Sequence, residues 1–188
     1  MHEDTSIPDE LPPSPIWRFT KLLLVSGVLS IILLWVILPP RATVGGLEVG
    51  SPAPHIYAME WVNDPPPKPN ELKGKIIVVN AWATWCHNCI REMPELVELE
   101  EKYRDRDVQF IGLTNESVQS QEEIERVLGK FGVTWPNGIS AVEPLYNFKA
   151  ELIPAVWVIG PDGKVVWNYD SPGTLDDAIE DALAMVGE

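Results

Sequence analysis

The chain is poor in cysteine, in histidine and in positive charge. It has two cysteines among 188 residues, which excludes a disulfide-stapled scaffold. Two thiols cannot by themselves complete a four-ligand zinc site. Lys and Arg number 14 against 28 acids, for a net charge of −14. That balance argues against a nucleic-acid binder, since phosphate recognition needs clustered Lys and Arg. From residue 42 onward there are 24 acids and 11 bases, so the distal part carries nearly all of the imbalance. No internal repeat is visible. At 45% hydrophobic residues the chain can still bury a core without staples, as one ordinary domain plus an appendage.

The appendage is the one long apolar run. Leu22 to Leu38 holds no charge over 17 residues. At about 1.5 Å per residue it covers roughly 26 Å, close to the hydrocarbon thickness of a bilayer. Trp17 and Trp35 stand near its ends, where indole rings favour the headgroup level. Arg18 and Lys21 precede the run and only Arg41 follows closely, a bias that places the first residues in the cytoplasm. A cleaved signal peptide would have a shorter core and a small-residue cleavage site. Pro39-Pro40-Arg41-Ala42-Thr43-Val44 has no such pattern. The expectation is an uncleaved single-pass anchor over residues 16–38 in the inner (cytoplasmic) membrane. Before it lies an acidic, proline-rich cytoplasmic tail, 1–15. After it come a Gly- and Pro-bearing linker, 39–54, and a domain over 47–188 facing the periplasm or an equivalent extracytoplasmic space.

Within the domain, Ile56-Tyr57-Ala58-Met59 is a possible strand, and Asp64 to Pro69 a stiff extended loop. Lys75 to Ala81 is a near-continuous β-branched run, as expected of a strand buried on both faces. An apolar stripe predicts a helix from His87 to Tyr103, and Val108 to Leu113 predicts a second buried strand. Ser120 with Glu123 reads as a capping box opening a helix through Phe131. Glu143 to Lys149 reads as a short helix. Ala155 to Ile159 and Lys164 to Tyr169 flank the turn Pro161-Asp162-Gly163, and Thr174 with Asp177 caps a last helix to Val186. The order β-α-β-α-(α)-β-β-α predicts an α/β fold: a mixed central sheet flanked by helices on both faces.

The chemistry centres on Trp85-Cys86-His87-Asn88-Cys89, between a buried strand and a helix. The first backbone N–H groups of a helix are unpaired, and their partial positive charge favours an anion. A thiol there ionises more readily, and the thiolate is the attacking species. Cys89, one turn further in, is within disulfide reach of Cys86 and more shielded. Cys86 is therefore assigned the attack on a partner's sulfur, and Cys89 the resolution of the mixed disulfide. His87 can add positive charge or a hydrogen bond. Two blander readings stay open at this point. C-x-x-C is half a zinc site, with only His2, His55 and His87 to complete it. It could also form a plain structural disulfide, which would add little stability by closing so small a loop.

The segment Val79-Asn80-Ala81-Trp82-Ala83-Thr84-Trp85-Cys86-His87-Asn88-Cys89-Ile90-Arg91-Glu92-Met93-Pro94 resembles the active-site segment of the thioredoxin superfamily. It is similar to that of the membrane-anchored TlpA/ResA/CcmG-like thiol–disulfide oxidoreductases of bacteria. The resemblance covers roughly residues 47–188 and includes Gly74-Lys75, Pro94, Ile153-Pro154 and Asp162-Gly163. It implies a thioredoxin-like sheet and a cis peptide bond before Pro154, a proline facing the two cysteines with Ile153 beside it. It also implies that Glu92, on the helical face of Cys89, exchanges a proton with a cysteine. Asn80 stands where thioredoxin has a buried aspartate, which moves proton handling toward Glu92. Trp85 is expected to shield the sulfurs. The spacer His87-Asn88 departs from the Gly-Pro or Glu-Pro of common reductants and tunes the redox potential.

A peroxidase is disfavoured because Ala83 stands where peroxiredoxins have threonine, and copper-delivery relatives use C-x-x-x-C. The activity implied is thiol–disulfide exchange on cysteine-containing extracytoplasmic proteins, without organic cofactor or metal. Reduction is the preferred direction, as in cytochrome c maturation, with electrons from a membrane thiol donor. A disulfide-forming oxidant, or a redox-inert module binding partners in the groove near Pro154, are the alternatives.

Overall fold

A computed structural model of the chain describes residues 23, 24, 27, 30, 44–65 and 67–187. The chain divides into two units, 1–41 and 42–188. In the first, Leu23, Leu24, Gly27 and Ser30 are helical. Among the described residues no helix is long and apolar enough to cross a membrane. The expected cytoplasmic tail, Trp17, Arg18, Lys21, Trp35 and most of the expected anchor lie outside the described residues.

The second unit is built on a six-stranded sheet. Its strands are β1 (Glu60–Val62), β2 (Ile76–Ala81), β3 (Val108–Leu113), β4 (Asn137–Ile139), β5 (Ala155–Ile159) and β6 (Val165–Asn168), in the spatial order β1-β4-β3-β2-β5-β6. The helices are α1 (Pro69–Leu72), α2 (His87–Tyr103), α3 (Gln121–Phe131), α4 (Val142–Asn147) and α5 (Leu175–Ala184). Strands β2, β3 and β4 run parallel, β5 pairs antiparallel with β2, and β6 pairs antiparallel with β5 at the sheet edge. The expected mixed sheet is therefore present, with one strand, β4, beyond the five the sequence pattern offered.

Strand alternation divides the core in two. Ile76 and Val78 of β2 face a cluster with Cys86, Cys89, Met93 and Leu96 of the α2 region, Ile124 and Leu128 of α3, and Ile179 of α5. Ile77, Val79 and Ala81 face the other way, against Leu145 of α4, Phe148 and Trp157. Each face has its own helices, as the β-α order required.

Several boundaries differ from the sequence reading. The first strand is Glu60–Val62 and not Ile56–Met59. Pairing begins where Met59 N–H donates to Ile139, and its partner β4 carries no readable period. The loop of prolines ends in a helical turn, with Pro69 at its first position, where a missing N–H costs nothing. Ser120 does precede α3, but a 3₁₀ turn over Val118–Ser120 gives it a ψ of 3°, and its side chain makes no capping bond. The box at Thr174 and Asp177 is complete, each side chain accepting from or holding the other's backbone N–H. The short helix is Val142–Asn147; Lys149 lies past its end with φ of 54°.

Candidate active site

Strand β2 ends at Ala81, and after a loop over 82–85 the chain turns into α2 at Cys86. Cys86 is the N-cap of that helix, with extended backbone (φ −81°, ψ 97°). Its Sγ accepts a hydrogen bond from the Cys89 N–H at 3.2 Å. The helix thus aims an otherwise unpaired amide at this sulfur, as its position at the N-terminus predicted. Cys86 and Cys89 form a disulfide, S–S 2.03 Å with Cα atoms 5.3 Å apart. Both residues are buried, Cys89 slightly the deeper. Ile90 N–H returns to the Cys86 carbonyl, and Pro94 inside α2 has no N–H to donate in its turn.

The loop before Cys86 is fixed from two sides. Trp82 is buried and donates from Nε1 to Asn137 Oδ1 at 3.0 Å; Asn137 donates in turn to the Trp135 carbonyl. Asn137 fits because its neighbour on β3 is Gly112: a Cβ there would stand 1.9 Å from Asn137 Oδ1. On the other side, the Glu116 carboxylate accepts from Thr84 N–H at 2.7 Å and from Thr84 Oγ1 at 2.6 Å, with Thr114 Oγ1 at 3.2 Å. Sequence reasoning passed over Glu116. The signal was positional: Thr84 and Glu116 follow adjacent parallel strands at their carboxyl ends, where loops converge.

The residues singled out from the sequence divide into those the fold gathers and those it leaves outward. Ile153-Pro154 is a cis peptide bond, and the register Ala81↔Ala155 sets it at the sheet end from which the Cys86 loop departs. Ile153 lines a cavity of about 270 Å³ together with Trp82 and Trp85. Trp85 itself is 68% exposed; it is no core residue, and it forms a wall of that cavity. His87 and Asn88 are exposed, and Asn88 accepts a hydrogen bond from Arg91. Asn80 is 3% exposed and lies on the Ile76–Val78 side of β2, the side that α2 covers. Its Oδ1 makes no hydrogen bond among the described residues.

Glu92 is half-buried on α2, one turn beyond Cys89. Burial pushes its carboxyl above the ordinary range, and Glu95 adds to this; a hydrogen bond from Tyr169 and the charge of Arg91 pull it back only in part. Tyr169 donates from its hydroxyl to Glu92 Oε2 at 2.8 Å. Burial, then the Glu92 carboxylate, drive the Tyr169 phenol far upward, so it remains a donor at any pH of interest. Tyr169 stands edge-on to Trp167, ring centroids 5.7 Å apart. Among the described residues no group of three His, Cys, Asp or Glu side chains is placed to hold a metal.

Residues 48–184 match the Redoxin family. The chain belongs to that family. It is 30% identical over 138 residues to the thiol-disulfide oxidoreductase ResA of Bacillus thuringiensis subsp. konkukian, covering 71% of this chain and 76% of that protein. To ResA of Bacillus thuringiensis strain Al Hakam it is 27% identical over 121 residues, 64% and 68% of the two chains. Among solved structures it resembles the thioredoxin domain of a thiol-disulfide oxidoreductase from Bacteroides vulgatus (TM-score 0.61, 22% identity, 74% of this chain and 99% of that one). It also resembles a thiol-disulfide isomerase from Corynebacterium glutamicum (TM-score 0.59, 21% identity, 73% and 95%). At those identities the two structures establish the fold alone, which is thioredoxin-like. With the ResA relatives and the Cys86–Cys89 pair, the chain is a thiol–disulfide oxidoreductase of the ResA-like kind.

Proposed function

We propose that the protein reduces disulfides in extracytoplasmic protein substrates, tethered by residues 16–38 and supplied with electrons by a membrane thiol donor. The observation that carries the exchange chemistry is the hydrogen bond from Cys89 N–H to Cys86 Sγ at the mouth of α2. In the reduced enzyme the same amide and the helix terminus favour a thiolate on Cys86. That thiolate attacks one sulfur of the substrate disulfide, forming a mixed disulfide and expelling the other substrate sulfur as a thiolate, which takes up a proton. Cys89 gives its proton to Glu92 and attacks Cys86 Sγ. The Cys86–Cys89 disulfide forms, and the second substrate sulfur leaves as a thiolate, which takes up the proton that Glu92 releases. Two electrons have passed to the substrate, and an external dithiol must return two to the enzyme. Trp85, Ile153 and Pro154 border the place where the substrate chain lies, and His87, Asn88 and Asn80 adjust the couple. No organic cofactor or metal takes part.

Support for reduction comes from the tether: in an oxidising compartment a dedicated reductant must be held beside its electron source, as for cysteines kept reduced during cytochrome c maturation. The opposite direction, disulfide formation, uses the same residues, so the reduction potential decides. A value near about −270 mV assigns a reductant and one near about −120 mV an oxidant. Cys89→Ser in the full-length chain should accumulate mixed disulfides through Cys86; a redox-inert binding module would accumulate none.

A further inference from the structure

The linker expected over 39–54 is no loose tether where it joins the domain. Gly45, Gly46 and Leu47 are all buried. They lie over the cross-strand pair Trp157 and Asn168 of β5 and β6. Leu47 N–H donates to the Phe148 carbonyl at 2.9 Å, and the Leu47 carbonyl accepts from Asn168 Nδ2 at 2.9 Å. Gly45 N–H donates to Asp170 Oδ2 at 3.0 Å. The fit demands both glycines. A Cβ on Gly45 would stand 2.7 Å from Asn168 Cγ. One on Gly46, whose φ is +66°, would stand 2.8 Å from the Phe148 carbonyl oxygen and 2.9 Å from Trp157 Cζ2.

On its far side this segment meets the turn that carries Tyr169. Asn168 is 4% exposed, and its amide joins the two. Its Oδ1 accepts from Asp170 N–H at 3.0 Å and from Ser171 Oγ at 3.1 Å, while its Nδ2 reaches Leu47. The Asn168 carbonyl accepts from Ser171 N–H and closes the turn. A buried network of this kind rigidifies the turn that it spans. Tyr169 stands in the middle, its ring edge-on to Trp167 and its hydroxyl on Glu92 Oε2 at 2.8 Å. The residues bonded to the linker are thus its two neighbours, Asn168 and Asp170. Glu92, Glu95, Tyr169, Ser171 and Thr174 line one cavity of about 310 Å³. The groups that act on the Glu92 charge are Tyr169 across this cavity, and Glu95 and Arg91 on its own helix. From α5 and the residue that caps it, only the neutral Thr174 and Leu175 line the cavity.

We infer that Gly45-Gly46-Leu47 is a positioning wedge for the proton step: it holds the turn over 168–171 so that the Tyr169 hydroxyl meets Glu92. The wedge, Asn168 and Asp170 are not catalytic residues; they act through Tyr169. With the wedge seated, the phenol's hydrogen bond favours the Glu92 carboxylate, the form that takes the Cys89 proton. With the wedge displaced, that donor is lost and Glu92 keeps its own proton to higher pH. The inference deepens the exchange reading and rests on its assignment of the proton to Glu92.

The test uses the full-length chain in detergent. Glu92 is followed by ¹³C carboxyl titration of the oxidised protein, and thiol alkylation of the reduced protein is followed across pH. Gly46→Ala drives the wedge from its seat, and Asp170→Ala, at an exposed position, removes the acceptor of Gly45 N–H. Each should move the Glu92 inflection upward, toward the shift of about one unit expected for Tyr169→Phe. Asp170→Asn keeps an acceptor oxygen and should restore the wild-type inflection. An effect of the lost charge alone would instead move it downward in both Asp170 variants, which overturns the inference. In a Tyr169→Phe background neither Gly46→Ala nor Asp170→Ala should move the inflection further, because the effect passes through the phenol. A Glu92 titration left unmoved by Asp170→Ala overturns the inference, as does a shift that adds in full to that of Tyr169→Phe. Where Gly46→Ala does not fold, the Asp170 variants carry the test. Alkylation judges the underlying reading separately: a profile unchanged in Glu92→Gln removes the proton step from Glu92, while the titration still decides the wedge.

Discussion

Replacing Tyr169 by phenylalanine removes one oxygen and leaves the ring against Trp167. That oxygen is the donor to Glu92 Oε2 at 2.8 Å, and it opposes the burial that raises the Glu92 carboxyl. A hydrogen bond to an ionised acceptor contributes about 1.5–3 kcal/mol. Both groups are only half-buried, so the lower end applies, and at about 1.36 kcal/mol per unit the Glu92 pKa should rise by roughly one further unit. The sign for stability follows. A carboxyl raised in the folded state stabilises fully below its unfolded value, near about 4.3, and that contribution is lost as pH climbs through the folded value. Tyr169→Phe raises the folded value further. The variant should therefore be about 1.5 kcal/mol less stable than the wild type at pH 7 and clearly less affected at pH 4. Urea denaturation of the oxidised protein at both pH values measures this, with a ¹³C carboxyl titration of Glu92 alongside. Equal losses at the two pH values, or a Glu92 titration that does not move upward, would refute the reasoning.

Glu116→Ala strips Thr84 of two acceptors and should cost about 1–3 kcal/mol; amide exchange at Thr84 should accelerate by more than at a reference site such as Val79. Gly112→Ala would place a methyl 1.9 Å from Asn137 Oδ1. Loss of the Trp82–Asn137 bond should accompany a cost at or above the roughly 3 kcal/mol top of the usual overpacking range, read by denaturant midpoint and Trp fluorescence. Thr174→Ala breaks the completed capping box on α5 and should remove about 1 kcal/mol, a fall in Tm of roughly 2–4 °C by calorimetry.

What could be read from the residues was whatever a long uniform pattern encodes. The apolar runs of β2 and β3, and the stripe of α2, end in the structure at nearly the residues where their patterns end. The active-site cysteines and the cis bond at Pro154 were equally legible, because each sits at a junction with its own motif. The three-residue strands were not. β4 reads Asn-Gly-Ile behind a proline, a turn by local preference, and becomes a strand through its neighbours. Gly138 lets Ala58 and Leu113 approach so closely that a Cβ would stand 2.6 Å and 3.1 Å from them. Ser120 had the spacing of a capping box without its geometry, because the preceding 3₁₀ turn decides ψ. Tyr169 and Glu116 escaped notice for a related reason. Their meaning lies in partners 77 and 32 residues away, which no local window contains.

Those two residues also explain how the acidic groups near the disulfide divide their work. Asn80 occupies the buried position beneath α2, and an amide neither takes nor gives a proton in the accessible range, so it cannot relay one. Glu116 is close to the loop, but Thr84 N–H, Thr84 Oγ1 and Thr114 Oγ1 occupy its oxygens, and protonating it would forfeit bonds that hold the nucleophile in place. Glu92 has one such donor, Tyr169, and burial already biases it toward the protonated form. It is the carboxyl whose charge can change at least structural cost. On the proposed reading the proton moved during the redox cycle is exchanged with Glu92, while Glu116 serves as the brace of the loop. Thiol alkylation across pH should therefore change its profile in Glu92→Gln, while Glu116→Gln should alter its rate and leave its inflection where it was.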